Sequence, residues 1–563
     1  MNKHTVLKII CFTSILIITL VLLEELLVPT WMSWNNDDTI KEFYTEPDNT
    51  IQVLFLGTSQ VVNGISSSEL YNHYGLCAYS LASEQQPLLS SYFWLKEANR
   101  FHQKSLNTVV LDISFLMYAD ESKESLQAFN EKALAHMRFS PVKVDAINAC
   151  SKQYDSFDFV ENIIPLLRYH TRWKYLSRED FKGMTNSINK LYTRGQNVSY
   201  SRTSSTYKAS DILKPCQEIT ETSNYSAIEY ESIWSKENLF WFKKIVEYCK
   251  ENNLNLVLTK LPKIWNDRLH DACQYLARAY QVPFLDLNDS AVLDKIGYTF
   301  PLDNKDSTHA NIYGAKKLTL YIGDYLINHY PYEDVRINPT YDFMKDQYQQ
   351  YYEMYVDSWL QNVKSLKAYC KLIDKSRYTI LMATKGEMTR KLSEEDRLAL
   401  SDLGFSCFSD AHYEHTIAGV KSNNTVVANI ESDSFRDRIL IDGWFDDSGN
   451  ISLHSCVSQK INHASEIVMQ PDEEDAVTEP IKGYSCFSIY CGGRHAGKFA
   501  SILIHETEFS ENRDGINFVI YNNKTHTVVD TSTFEPYETG ARRSSDYDPV
   551  DEYRLLLMKS KDN

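Results

Sequence analysis

The stretch IQVLFLGTSQVVNG, at residues 51–64, decides how the amino-terminal part of this 563-residue chain folds. Residues 51–56 are a short run of β-branched and other apolar side chains, which is typical of a strand buried on both faces of a sheet. Gly57 then permits a sharp turn, so the next side chains lie at the carboxyl edge of the sheet, where open α/β sheets bind ligands. Ser59 is predicted to expose its hydroxyl at that edge, either as a nucleophile or as the N-cap of the following helix.

A second stretch, much later in the chain, favours the nucleophile. The sequence DSTH at residues 306–309 precedes an apolar, helix-like run that ends near Leu326. A serine nucleophile needs an imidazole that accepts its proton and a carboxylate that fixes the imidazole tautomer. An Asp three residues before a His, on a loop that enters a helix, can aim both groups at one point above the sheet edge. Ser59, Asp306 and His309 are therefore predicted to form a catalytic triad.

With Ser59 after the first strand and a late Asp-x-x-His, the chain resembles the SGNH/GDSL hydrolase superfamily over about residues 50–330. Local matches near 79–87, 109–114 and 254–262 are similar to the bacterial membrane-anchored branch linked to cell-envelope polysaccharides. The resemblance implies a flavodoxin-like, three-layer α/β domain. We expect that domain to cover 36–335, with a helical insertion at about 118–235.

The sequence departs from that superfamily where most members form the oxyanion hole. Most members carry glycine and asparagine in two middle blocks, whereas residues 84–86 contain no glycine and no Gly-x-Asn follows the strand that ends near Ser114. Gln86 and Ser114 are the candidate replacements as oxyanion donors, together with the backbone amide of Ser59. The same departures keep open a catalytically inactive copy of the fold.

Residues 1–35 indicate a membrane anchor. Lys3, His4 and Lys8 precede an uncharged apolar run, and no small-x-small cleavage motif follows it. We expect an uncleaved single-pass signal anchor with the remaining domains outside the cytoplasm, and a cleaved signal peptide is the alternative. The net charge of −17 argues against a nucleic-acid partner.

The eleven cysteines show neither Cys-x-x-Cys nor zinc-like Cys/His spacing. The serine-dependent mechanism implies neither a metal nor an organic cofactor. A disulfide outside the cytoplasm and free buried thiols both remain open for the later cysteines. These are Cys407, Cys456, Cys486 and Cys491.

The carboxyl-terminal part, 371–545, has short strands, tight turns and one acidic helix. The segment from RDGIN at 513–517 to FEPY at 534–537 resembles the interleukin-like EMT inducer (ILEI/PANDER) domain, and residues 371–430 resemble the part that normally follows it. Because the two halves come in reverse order, we expect one circularly permuted module or two incomplete copies. The predicted fold is a β-rich α+β domain, joined by a helical connector at 336–370 and followed by a tail at 546–563.

The ILEI-like resemblance also implies glycan binding, because a related module in a glycosyltransferase stem binds sugar. Trp444 and Tyr490 are the aromatic candidates for stacking, and core positions are the alternative for both.

Together these features predict a membrane-anchored, extracytoplasmic esterase or acyltransferase that acts on O-acyl groups, chiefly O-acetyl, of an envelope or exported polysaccharide. Ser59 attacks the acyl carbon, His309 serves as general base and then acid, and Asp306 orients His309. Envelope polysaccharide assembly proteins are the expected protein partners. The main alternative is an inactive SGNH fold that works with the ILEI-like domain as a glycan-binding assembly factor. A secreted signalling module is a third hypothesis.

Overall fold

The computed structural model describes residues 3–28, 43–117, 123–135, 137–176, 234–263, 267–306, 308–360, 363, 365–386, 392–409, 412, 414–446, 448–460 and 484–535. The chain divides into two compact units, Met1–Tyr352 and Glu353–Asn563.

A parallel sheet organises the first unit. Its strands are β1 (Val53–Gly57), β2 (Ala78–Ala82), β3 (Thr108–Asp112), β4 (Asn255–Lys260) and β5 (Phe284–Asp286). All neighbouring strands run parallel, in the order β2-β1-β3-β4-β5. This order is one of the two common arrangements of doubly wound α/β sheets, so the predicted α/β class is confirmed.

The described helices of this unit are the amino-terminal helix, the helices that connect the strands and cover the sheet, and the helices of the insertion. They are α1 (Lys3–Leu27), α2 (Ser59–Gly64), α3 (Ser67–Tyr74), α4 (Leu88–His102), α5 (Lys123–Ala135), α6 (Pro141–Gln153), α7 (Phe159–Ile163), α8 (Pro165–Tyr169), α9 (Lys236–Glu251), α10 (Asp267–Tyr280), α11 (Ser290–Ile296), α12 (Phe300–Asp303) and α13 (Ile312–His329). A further helix, α14 (Phe343–Leu360), begins in this unit and carries the chain into the second. Short 3-10 turns lie at Ile113–Met117, His170–Tyr175, Val335–Ile337 and Pro339–Tyr341.

Two apolar clusters lie on opposite faces of the sheet. Leu54 of β1 joins one cluster with Phe242 of α9, whereas the adjacent Phe55 joins the other with Leu318 of α13. Successive strand residues point to opposite faces, so every side chain of β1 is buried. Burial on both faces explains why the strand is a continuous apolar run rather than an alternating one.

The helix that follows the DSTH loop, α13, packs closely against the end of α12 at a glycine. A Cβ on Gly314 would lie 2.2 Å from the carbonyl oxygen of Asp303, whereas one on Gly64 would meet the side-chain ends of Leu261 and Leu318, at 3.1 and 3.7 Å. A backbone carbonyl cannot move aside as a leucine methyl can. Gly314→Ala is therefore expected to lower the free energy of unfolding by about 3 kcal/mol.

The matched control is Gly64→Ala, which is expected to change stability by less than about 1 kcal/mol, since alanine also favours the helix. Urea denaturation of the first unit, followed by a short proteolysis pulse, measures both variants. Equal urea midpoints for the two would contradict the predicted role of the Gly314 contact.

The amino-terminal helix is long and apolar enough to cross a bilayer. Its span His4–Glu24 has 21 residues and a mean hydropathy of 2.7, and none of it is buried. A signal sequence has the same character, so the anchor and the cleaved signal both remain open. At the end of α1, the guanidinium of Arg172 donates hydrogen bonds to the carbonyls of Leu26 and Leu27, at 3.3 and 3.1 Å.

The predicted insertion contains α5 to α8. At the end of these helices, Arg168 makes ion pairs with Glu131 and Glu161, and Trp173 is exposed. Residues 177–233 of the predicted insertion lie outside the described residues.

Two antiparallel five-stranded sheets form the second unit. Their strands are β6 (Tyr378–Lys385), β7 (Ile417–Ser422), β8 (Thr425–Glu431), β9 (Asp437–Asp446), β10 (Ile451–Lys460), β11 (Tyr484–Gly492), β12 (Phe499–Ile504), β13 (Thr507–Glu508), β14 (Gly515–Asn522) and β15 (Thr527–Phe534). The strand orders are β10-β9-β11-β12-β13 and β15-β14-β6-β7-β8. Leu381 and Val519 of the second sheet share one core with Ile441 and Ile489 of the first, so the two sheets face each other as a sandwich.

Besides the end of α14, the described residues of this unit include the helices α15 (Leu366–Ile373) and α16 (Glu394–Leu403), with a 3-10 turn at Ser406–Phe408. Ser393 caps the start of α16 and Gly404 ends it in the left-handed conformation, as the sequence predicts. The late hairpin of β14 and β15 joins the early strands through β6, with Gly515 opposite Lys385. The two segments that resemble halves of one module therefore lie in one sheet.

Candidate active site

Ser59 lies at the first turn after the carboxyl end of β1. The N-cap of α2 is Thr58, whose hydroxyl accepts a hydrogen bond from the amide of Gln60 at 3.3 Å. The alternative prediction of Ser59 as N-cap is therefore wrong, because Thr58 caps the helix. The Ser59 hydroxyl is left to face His309.

The three residues of the predicted triad lie in one hydrogen-bonded chain. Ser59 Oγ is 2.8 Å from His309 Nε2, and His309 Nδ1 is 2.9 Å from Asp306 Oδ2. Because Nδ1 faces a carboxylate, it carries the proton in the neutral ring, and Nε2 is then the acceptor for the Ser59 hydroxyl. The imidazole thus has the tautomer that a general base for serine requires.

The backbone of the loop holds Asp306 in place. Its Oδ1 accepts hydrogen bonds from the amides of Thr308 and His309, at 2.8 and 2.9 Å. Burial by itself raises the pKa of Asp306, but the Thr308 amide and the His309 imidazole outweigh it, so the pKa lies below its ordinary value. The carboxylate consequently stays charged. An isolated bridge between Asn304 and Ala310 closes the base of the loop.

The triad is open to solvent on one side. The side chains of His309 and Asp306 are 24% and 47% exposed, and Ser59 is half-buried. Solvent therefore reaches the imidazole and the carboxylate of the triad.

Gln60 links the nucleophile turn to the loop that carries the histidine. Its Nε2 donates to the carbonyl of Thr308 at 3.1 Å. Its Oε1 accepts from Ser114 Oγ at 2.7 Å and from Lys260 Nζ at 2.9 Å. One buried amide thus connects α2 with the carboxyl ends of β3 and β4, and with the residue before His309.

A buried pair of opposite charges, Asp112 and Lys260, lies beneath this turn. Both are inaccessible to solvent. Burial lowers the pKa of Lys260 to about 8, and the nearby Asp112 limits the fall. Burial raises the pKa of Asp112, opposed by Lys260 and by hydrogen bonds from Ser114 and Leu261. Gln60, Asp112 and Lys260 were not predicted as functional residues. The signal in the sequence is a charged residue at the end of each of two buried apolar strands, Asp112 of β3 and Lys260 of β4.

The two predicted oxyanion donors make other hydrogen bonds. Gln86 donates from Nε2 to Leu81 O and Ser91 Oγ, and its backbone amide donates to Ser83 O. The Ser114 hydroxyl donates to Gln60. Their assignment as oxyanion donors stays a prediction. The Ser59 amide, in the first turn of α2, has no intrahelical acceptor and so is the better-placed donor.

In the second unit, Trp444 and Tyr490 lie half-buried on the sheet face that points away from the shared core. The predicted alternative, core positions for both, is wrong because Phe445 and Ile489 next to them are the residues that enter the core. Asp442 lies between the two aromatic residues, opposite Ser488. The four later cysteines, 407, 456, 486 and 491, are free thiols.

Chemically, the first unit presents a hydroxyl, an imidazole and a carboxylate in series, which is the set of groups needed for acyl transfer. No family model, no curated protein and no solved structure matches this chain. Function is therefore inferred from the side-chain arrangement.

Proposed function

We propose that this protein is a serine-dependent carbohydrate O-acyl esterase or acyltransferase of the SGNH/GDSL type. It is anchored by α1, with both units outside the cytoplasm, and it acts on O-acetyl groups of an envelope or exported polysaccharide. The observation that carries the proposal is the hydrogen-bonded series Ser59, His309 and Asp306 at the carboxyl edge of the sheet.

The reaction has two steps. Ser59 Oγ attacks the acyl carbon while His309 Nε2 takes the hydroxyl proton, and the carbonyl oxygen becomes an oxyanion that the Ser59 amide stabilises. His309 then gives that proton to the departing sugar oxygen, which leaves an acyl-serine. Water, or the hydroxyl of a second sugar, attacks the acyl-serine with His309 again as base, and Ser59 is regenerated.

A polymeric substrate fits the exposure of the site. The partly exposed triad admits an ester on the outside of a polysaccharide. The apolar α1 keeps the enzyme at a membrane across which polysaccharides are exported. The choice of polysaccharide rests on the resemblance to the membrane-anchored SGNH branch.

A second candidate function is glycan binding without catalysis. It is favoured by the half-buried Trp444 and Tyr490 on the outer sheet face beside Asp442, since aromatic faces with a nearby carboxylate suit sugar rings and hydroxyls. The engagement of Gln86 and Ser114 in other hydrogen bonds favours the same alternative.

The deciding experiment measures acetate release from an O-acetylated polysaccharide, and p-nitrophenyl acetate turnover, by the full-length chain in detergent. Turnover that depends on Ser59 supports the enzyme. Saturable polysaccharide binding with no turnover of either substrate supports the binding protein.

Gln60 offers a subtler test of the site. Gln60→Glu keeps oxygen acceptors for Lys260 and Ser114 but removes the donor to Thr308 O, so the loop that carries His309 loses one attachment. We expect kcat to fall about 10-fold with KM unchanged, because misplacing the base affects the chemical step more than binding.

The control for the added charge is Gln103→Glu, at an exposed position of the same unit, which is expected to leave kcat unchanged. An unchanged kcat in Gln60→Glu would show that the Thr308 contact does not position the base.

A further inference from the structure

Two imidazoles and a carboxylate converge in the second unit. His412 and His415 precede β7, and Glu431 is the last residue of β8. His412 Nδ1 lies 3.3 Å from each Glu431 carboxylate oxygen, and His415 Nδ1 lies 3.5 Å from Oε1. One ligand atom from each residue can be chosen so that all lie within 4.8 Å of one another.

The distances from the two imidazole nitrogens to the Glu431 carboxylate match those between ligands around a small tetrahedral cation. Zinc bonds to imidazole nitrogen and carboxylate oxygen are about 2.0–2.2 Å, which separates tetrahedral ligand atoms by about 3.3–3.5 Å. The His–Glu spacings of 3.3 and 3.5 Å fall in that range.

A simple ion pair leaves part of this arrangement unexplained. One carboxylate can pair with one imidazole, but here two rings are directed at the same carboxylate, with ring centroids 5.1 Å apart. His415 Nδ1 is buried and makes no hydrogen bond to any part of the chain that the structure describes. An unsatisfied buried nitrogen is costly, and coordination to a metal would satisfy it.

The backbone holds the three side chains together before any ion binds. Glu431 lies opposite Ile417 in the β7–β8 hairpin. The amide of Thr416 donates to Ser432 Oγ at 3.0 Å, and the amide of Ser432 donates to Thr416 O at 2.9 Å. His415 and Glu431 are therefore neighbours of a fixed backbone pairing.

We propose that His412, His415 and Glu431 bind one Zn²⁺ ion, with a fourth position for water or another ligand. Two imidazoles with one carboxylate favour zinc over Mg²⁺ and Ca²⁺, which prefer all-oxygen sites. The ion ties the segment before β7 to the end of β8. This proposal does not depend on the esterase assignment.

The test uses the full-length, tag-free protein in detergent after metal removal with a chelator. Zn²⁺ is titrated by calorimetry, and Co²⁺ serves as a probe whose visible absorption reports tetrahedral coordination. We expect one equivalent to bind. His412→Ala, Glu431→Gln and His415→Ala are each expected to weaken affinity at least about 100-fold, since each removes one of three protein ligands.

The control is His495→Ala, because His495 pairs with Glu414 at 3.3 Å as a single imidazole on a single carboxylate. It is expected to bind Zn²⁺ like the wild type. His412 is 73% exposed, so His412→Ala has little reason to unfold the unit and keeps the test meaningful. Absence of stoichiometric binding in the wild type, or unchanged affinity in folded His412→Ala, overturns the proposal.

Discussion

Ser59→Ala is expected to reduce turnover of p-nitrophenyl acetate by at least about 10³-fold, because no other hydroxyl is positioned on His309 Nε2 in the described structure. His309→Ala should cost a similar factor. The double variant should be hardly worse than either single variant, because the nucleophile and its base act as one unit.

Asp306→Asn belongs to the same test. An asparagine amide at this position presents a donor as readily as an acceptor to His309 Nδ1, so it no longer selects the tautomer that leaves Nε2 free for Ser59. Ser156→Ala, at an exposed serine of the same unit, is the matched control and should keep full turnover.

The kinetic outcomes separate the two candidate functions. Turnover that persists in Ser59→Ala at the wild-type rate would remove Ser59 from the reaction. If the wild type is inactive on both the small ester and the acetylated polysaccharide, and Ser59→Ala binds polysaccharide equally well, the binding protein becomes the better account.

Lys260→Met is expected to lower the free energy of unfolding of the first unit by about 3–5 kcal/mol at pH 7, since it leaves the Asp112 carboxylate buried without its counter-charge. The double variant Asp112→Asn/Lys260→Met removes both charges while nearly keeping their volumes. It is expected to be within about 1–2 kcal/mol of the wild type. A small loss in the single variant would mean that Lys260 does not offset the charge on Asp112.

The same pair predicts a pH dependence with a definite sign. The pKa of Lys260 is about 8 in the folded protein, against an ordinary value of 10.5. Between these values the unfolded chain binds more protons than the folded one, so stability rises with pH, at up to about 1.4 kcal/mol per pH unit. The free energy of unfolding of the wild type minus that of the double variant should therefore increase from pH 8 to 10.5.

Urea midpoints from pulse proteolysis measure this difference. Burial raises the pKa of tyrosines such as Tyr298, and this makes stability fall as the pH rises, which opposes the effect of Lys260. These tyrosines titrate identically in both proteins, so their contribution cancels when the double variant is subtracted from the wild type. A difference that is flat or falls over this range would show that Lys260 keeps an ordinary pKa.

The sequence was sufficient for the triad because each of its parts is a local signal. Ser59 follows an unbroken apolar strand, and Asp306 and His309 share one short loop. The hydrogen bonds of Gln60 to Ser114 and Lys260 depend on the order of the strands. Gln60 follows β1 and reaches Lys260 at the end of β4 across the end of β3, which lies between them. An apolar run predicts that a strand exists, but a run that is apolar throughout does not indicate which strands lie beside it in the sheet.

In the second unit, the sequence predicts short strands without defining each one, and the strands β9 to β11 are the hardest to recognise. Gly443 and the acidic Asp442 interrupt the apolar run of β9, and β10 mixes apolar and polar residues along a mostly exposed strand, so neither is an unbroken apolar run. The histidine–glutamate cluster was also missed, because Glu431 comes from a neighbouring strand rather than from the segment that carries the two histidines.

The hydrogen bonds from Arg172 to Leu26 and Leu27 give the first unit a second attachment to α1, in addition to the chain itself. The final carbonyls of a helix lack intrahelical donors, so the guanidinium binds where the helix can accept it. In a chain anchored as proposed, this second attachment would restrict the movement of the first unit relative to α1 and hold its catalytic site at a fixed distance from the bilayer. The proposed catalytic site would then reach only substrate close to the bilayer surface. A polysaccharide would be deacetylated or acetylated during its export across the membrane rather than after its incorporation into the envelope.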